Sequence, residues 1–196
     1  MNNNAIQLVG EEIVKRIAAT KVAVHFGPLD IGDDIEPTRH LILFPYRVSV
    51  NADMRNSEHR VPALVDDGHG VPIVRDKIFD EAIPLDVHFL LCVRPSKPER
   101  EWQGTVDLGK ALQVLNAASG RFGLLVDGEI VHLSLDTVST EEMARIWSLF
   151  PAVNYRTSVV YLASPVWIDP EHPRETGTPV VHEKYLPRPV PIVERA

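Results

Sequence analysis

The run LILFPYRVSV, Leu41 to Val50, followed at once by the polar NADMRN, constrains this chain more than any other stretch. Phe44, Tyr46, Val48 and Val50 alternate with Pro45, Arg47, Ser49 and Asn51, a period of two that predicts a strand with one apolar face on a core. Aromatic and β-branched side chains suit such a pleated, half-buried surface. Pro45 cannot donate to a ladder, so the strand is expected at a sheet edge or to resume pairing after a bulge. A strand that delivers a compact polar loop is a common way to present a contact surface. Arg47, Asn51, Arg55 and Asn56 are therefore candidate interface residues. The competing reading makes the two arginines solvated charges that discourage edge-to-edge aggregation.

A second strand signal is stronger still. In PLDVHFLLCV, Leu85, Val87, Phe89, Leu91 and Val93 alternate with Asp86, His88, Leu90 and Cys92, and the segment turns apolar on both sides toward its end. A strand covered on both faces reads this way. Around these two, the other elements fall into place. Ile6, Val9, Ile13 and Ile17 predict an amphipathic helix from about Ala5 to Ala19, with Asn2 to Asn4 as cap oxygens. Val22, Val24 and Phe26 share a face of a short strand, which leads through the Gly-, Pro- and Asp-rich loop GPLDIGDDIEPT into the Leu41 strand. Residues 57–83 are too long for a bare connection and predict a hairpin or excursion turning near Asp67–Gly70.

After a charged loop, RPSKPEREWQG, Leu108, Leu112 and Leu115 predict a helix from about Thr105 to Ala118, with Asp107 in its first turn. Ser119–Gly123 breaks that helix, and Val131, Leu133 and Leu135 mark a further strand. Ser139 and Glu142 form a capping box ahead of Met143, Ile146, Trp147 and Phe150, a helix that Pro151 ends. The last long strand runs from Ser158 to Asp169, with Pro165 marking an edge or bend. Helices and strands are mixed without a regular βαβ repeat, so the expected fold is α+β: a mixed, largely antiparallel sheet with helices packed on it. Residues 1–170 are read as a single domain, and 171–196 as a proline-rich C-terminal arm, extended at YLPRPVP.

Chemistry is harder to find. The eight histidines are scattered, with no HExxH, HxH or Cys-His pair, so no metal site and no cofactor is expected. DDGHG at Asp66–Gly70 reads as a solvated turn sooner than a cation loop. Walker A, GxGxxG and GxSxG patterns are absent. Asp86 and His88 point the same way on one strand, as a structural pair before an acid–base one. The lone cysteine, Cys92, lies in an apolar run and reads as a buried hydrophobe. With no disulfide framework, no signal peptide and no apolar run of transmembrane length, synthesis in a reducing cytosol is expected. The net charge of −7, without a basic stripe, argues against nucleic acid as a partner.

Several segments taken together are more specific than any one alone: YRVSVNADMRN, PLDVHFLLCV, DLGKALQVLN, EEMARIWSLF and YRTSVVYLASPVWIDP, in that order. Their sequence resembles the cap proteins that terminate the tube and sheath of extracellular contractile injection systems, phage-tail-like particles. The resemblance implies a non-enzymatic homo-hexameric ring at the end distal to the baseplate, ending the inner tube and joining it to the sheath. It adds Arg156 to Arg47 and Arg55 as candidate partners for acidic groups, since a guanidinium binds carboxylates bidentately. It also makes Tyr155 an interface candidate, although Trp147 and Tyr155 read first as core. Pro187, Arg188 and Pro189 complete the candidate set, on an arm suited to lie across a neighbouring subunit. A small soluble enzyme and a non-contractile tail terminator are the alternatives.

Overall fold

A computed structural model describes residues 3–29, 40–66, 72–94, 101–119 and 123–174. The candidates Pro187, Arg188 and Pro189, the Asp67–Gly70 turn and most of the proposed arm lie outside the described residues. The elements, in order, are α1 (Ala5–Ala18), β1 (Val24–Phe26), β2 (Leu41–Val50), β3 (His59–Asp66), β4 (Pro72–Phe79), β5 (Ile83–Val93), α2 (Glu101–Ser119), β6 (Leu124–Val126), β7 (Glu129–Asp136), α3 (Thr140–Ser148) and β8 (Ser158–Ile168). Six strands form one sheet in the order β1-β2-β5-β8-β7-β6. Among the described strands only β1–β2 pairs in parallel, so the sheet is largely antiparallel and the fold is α+β as expected.

The doubly apolar strand sits in the middle. In β5, Phe89, Leu90, Leu91 and Cys92 are all fully buried. Phe89 and Leu91 face α1 and α2, packing with Ile13, Ile17, Leu108 and Leu115. Leu90 and Cys92 face the other way, with Ile42, Val160 and Trp147 of α3. The capping box on α3 forms as the sequence predicts: the Glu142 amide donates to Ser139 Oγ, and Glu142 Oε2 accepts from the Ser139 amide at 2.9 Å. By contrast, Asn4 at the N-cap of α1 makes no side-chain cap bond.

Three expectations change. First, β2 does not keep one phase. The bulge expected at Pro45 is present, the register against β5 shifting between Pro45 and Arg47 with Tyr46 as the extra residue, so the alternation does not stay on one face. Phe44 and Tyr46 pack on the α3 side, while Val48 and Val50 pair with Val87 and Leu85 on the opposite side. There they lie beyond the cover of the helices and stay 47% and 49% exposed. Second, α2 begins at Glu101, a turn earlier than the spacing predicts. Gly104, which reads as a loop residue, lets this turn approach β5: a Cβ there would lie 2.3 Å from Val93 Cγ1. Asp107 is thus inside the helix and buried, not in its first turn. Third, Tyr155 is not core. It is 67% exposed and meets the buried Trp147 edge-on, with ring centroids 5.6 Å apart.

Pro165 is both edge and bend. Pairing with β7 ends at Ser164, and β5 shifts register opposite it between Leu85 and Val87. On the helical face, Gly10 of α1 sits against the Phe26 ring, where a Cβ would meet Cζ at 2.3 Å. A Gly10→Val variant should therefore lose about 1–3 kcal/mol of stability through overpacking. The urea unfolding midpoint measures this, and a variant at least as stable as the parent would refute the packing account.

Candidate functional site

Below the bulge, β2 hands the chain to the loop Asn51–Asn56, and hydrogen bonds fix its entry. The Asn51 amide donates to Asp86 Oδ1 at 2.9 Å and to Ser164 Oγ at 3.0 Å, and the Ser164 hydroxyl donates to Asp86 Oδ1 at 2.6 Å. Asn51 Oδ1 accepts from the Met54 amide, an Asx-type turn, while the Asn51 amide N–H donates to the Pro84 carbonyl. Asn51 thereby serves the loop's shape, and Arg55 and Asn56 are left exposed at its tip. Asp86 is bound into this triad and does not pair with His88, which faces Asp136 at 3.5 Å instead. The register shift here puts two residues of β8, Ser164 and Pro165, opposite Asp86, which sets the Ser164 hydroxyl beside its carboxylate.

Arg47 lies exposed opposite His88. Both line an open cleft of about 460 Å³ together with Tyr46, Asp136, Glu142 and Arg145. Arg156 is turned inward, its guanidinium in electrostatic contact with the buried Cys92 thiol. Burial pushes that thiol up to about 12 against the opposing pull of Arg156, so it does not ionise as a nucleophile near neutral pH. On the far side of the sheet, Asp107 accepts from His40, Lys110 and Gln103. Burial raises its carboxyl, but those three donors more than offset this and hold it below the usual range.

The densest cluster was hidden in the sequence by separation. His59 opens β3, Glu129 opens β7, and Asp169 follows β8, yet their side chains meet. His59 Nδ1 lies 2.6 Å from Asp169 Oδ1, and Nε2 lies 3.0 Å from Glu129 Oε2. The imidazole stacks on Trp167 at 4.5 Å and 10°, with Phe79 6.1 Å away on an adjacent strand. This is the group of described residues whose ligand atoms could hold a cation. Two ligands of one tetrahedral ion stand roughly 3.3 Å apart, so the 2.6 Å contact is a hydrogen bond in a charge clamp. Both ring nitrogens face carboxylates, and the clamp ties the base of the β3–β4 hairpin to the main sheet.

Burial alone would lower the His59 pKa, but the two carboxylates more than offset it and raise it above the usual imidazole value. Glu129 is held low: burial raises its carboxyl, and its bond to His59 is the first of the contacts that pull it down. A group with a raised folded pKa contributes stability that is complete below its unfolded value of about 6.5 and is lost as pH climbs through the folded value. Amide exchange in the hairpin should therefore quicken as pH rises above about 6.5, after correction for intrinsic exchange. A His59→Gln variant should lose this pH-linked component, and a variant that kept it would show that His59 is not its source.

The described surface presents edges, a loop and a projecting hairpin, features of an assembly module. The chain matches the Pvc16 N-terminal domain over residues 6–182 and belongs to that family. Its fold is also that of an extracellular contractile injection system protein, the PVC sheath/tube terminator in the extended state: TM-score 0.58, 15% identity, over 99% of this chain and 67% of that one. The tube-terminating cap of the anti-feeding prophage is similar too, with TM-score 0.57 and 17% identity over 91% of this chain. The chain spans 60% of the length of that cap. Among curated proteins, none matches.

Proposed function

We propose that this chain is a structural cap of an extracellular contractile injection system. In this reading, it forms a homo-hexameric ring that ends the inner tube at the baseplate-distal end and joins it to the sheath. The observation that carries the reading is family membership across residues 6–182, joined to a fold shared with two tube terminators. The arrangement of the site is compatible with it. The most nucleophilic side-chain type is a buried thiol, and the histidine–carboxylate cluster acts as a fastener. No described helix is long and apolar enough to cross a membrane. The cap would be made with the rest of the particle and leave the cell with it.

Ring closure needs a heterologous contact, one border of each subunit fitting the opposite border of the next. Arg47, Arg55 and Asn56 on the β2 border and exposed Tyr155 are the proposed contact groups. The proline-rich arm, with Pro187, Arg188 and Pro189, would reach a neighbour or the sheath. The chain after β8 already runs beside the hairpin: the Arg174 amide donates to the Ile78 carbonyl at 2.8 Å.

Electron microscopy of particles produced with and without this chain tests the proposal. Its loss should leave tubes of uncontrolled length or unanchored sheaths, and restoration should return blunt ends bearing a six-fold ring. Truncation after Arg174 should leave a folded domain and weaken attachment to the particle. Normally terminated particles made in its absence would overturn the reading.

A further inference from the structure

We propose that the β3–β4 hairpin is an intersubunit arm, whose β4 edge adds to the open edge of β2 in the next copy of this chain. This deepens the ring reading above and rests on it. The hairpin is fastened at its base and unsupported beyond it. Its two eight-residue strands pair in register from His59–Phe79 to Asp66–Pro72, yet they form a separate sheet. Past the aromatic stack of His59, Phe79 and Trp167, and the bond from the Arg174 amide to the Ile78 carbonyl beside it, the hairpin has no substantial packing against another described helix or strand. That leaves the edge of β4 from Pro72 to Lys77 as the part to add. Leu64 and Val74 face each other across the strands and are 75% and 68% exposed. A two-stranded hairpin is at best marginally stable in water, and an exposed apolar cross-strand pair makes a partner more favourable still.

The receiving surface is on the same molecule, at the other side of the sheet. β1 pairs with β2 only at Leu41–Leu43. Among the described residues, no strand pairs with the outer edge of Phe44–Val50. Beside that edge, Val48 and Val50 are half exposed on the side that the bulge turned away from α3. At ~3.3 Å per residue the arm reaches ~26 Å and the open edge offers ~23 Å, so the lengths agree. An unpaired edge offers N–H and C=O groups to an added strand, and the flanking apolar side chains supply the burial. β4 is the better edge to add, because β3 carries Pro62 in mid-strand, where a donor is missing.

A second copy fits better than an edge-to-edge pairing of two β2 strands. That symmetric contact would bring Arg47 toward its own counterpart, and like charges across strands are unfavourable. The arm instead carries both signs, with Asp66 and Asp76 among Arg60, Arg75 and Lys77, so a carboxylate can meet Arg47. An arm and an edge on different borders form a head-to-tail contact, the kind that closes into a ring. The His59 clamp would set the angle at which the arm leaves the sheet.

The test uses the full chain, free in solution and on particles, with two variants: Leu64→Asp/Val74→Asp for the arm and Val48→Asp/Val50→Asp for the edge. Circular dichroism checks that each remains folded. Light scattering should show rings for the parent and monomers for each variant alone. An equal mixture should give one-to-one heterodimers, since each mixed pair retains one intact arm–edge contact. Separately, a Val74→Cys/Val48→Cys chain treated with a short bismaleimide on particles should yield a ladder of cross-linked copies, the buried Cys92 remaining unlabelled. Rings formed equally well by the arm variant, or cross-links only to the tube protein, would overturn the arm while leaving the terminator reading intact. A parent chain that neither forms rings nor binds particle ends would overturn both.

Discussion

The burial of β5 from two sides holds this domain together. Phe89 and Leu91 anchor the α1–α2 layer, while Leu90 and Cys92 anchor α3, so four consecutive residues join both layers through one strand. Tyr161 on β8 adds to the same block, fully buried beside Phe89, and burial pushes its phenol up to about 12. Interiors of this kind are close-packed, which is why Gly10 and Gly104 sit where a larger residue would strike a side chain. With its middle fixed, the sheet can leave its borders unfinished.

Two bulges convert that rigid centre into a presenting surface. The extra residue at Tyr46 changes which face β2 shows, turning Val48 and Val50 out from under the helices and Arg47 toward the α3 cleft. The second adds a residue on β8 opposite Asp86, setting Ser164 where its hydroxyl, with the Asn51 amide, reaches the Asp86 carboxylate. Bulges recur where a sheet must re-aim side chains or stop pairing, and both of these lie at the end of the sheet that carries the Asn51–Asn56 loop. An assembly protein has use for such a border, because its contacts are made by edges and loops that a solitary enzyme would cover.

The His59 clamp illustrates how polar burial can specify orientation. Its three members come from separate elements, so closing the cluster sets the hairpin base against the ends of β7 and β8 at once. A buried histidine held between two carboxylates adds little net stability compared with an apolar isostere, but it fixes one geometry. For a hairpin with exposed Leu64 and Val74, direction matters more than raw stability.

Much of the architecture was legible in the residues. The period-two runs, the capping box at Ser139 and Glu142, and the apolar switch in LLCV identified helices, strands and the central strand, because each is a local signal. The Asp127–Gly128 turn between β6 and β7, with φ of 50° and 82°, is another local signal that could have been read. The sequence by itself therefore determined the α+β class, the buried cysteine and the family. Tertiary structure decided the rest. Spacing could not show that the bulge at Pro45 would move Val48 and Val50 to the other face, that Gly104 would enter a helix, or that Tyr155 would lie outside the core it touches. Nor could it bring His59 to Glu129 and Asp169, since residues far apart along the chain become neighbours only when strands choose their partners and registers. Local preference is set by a few adjacent side chains, whereas a site depends on which distant segments the packing of the core brings together.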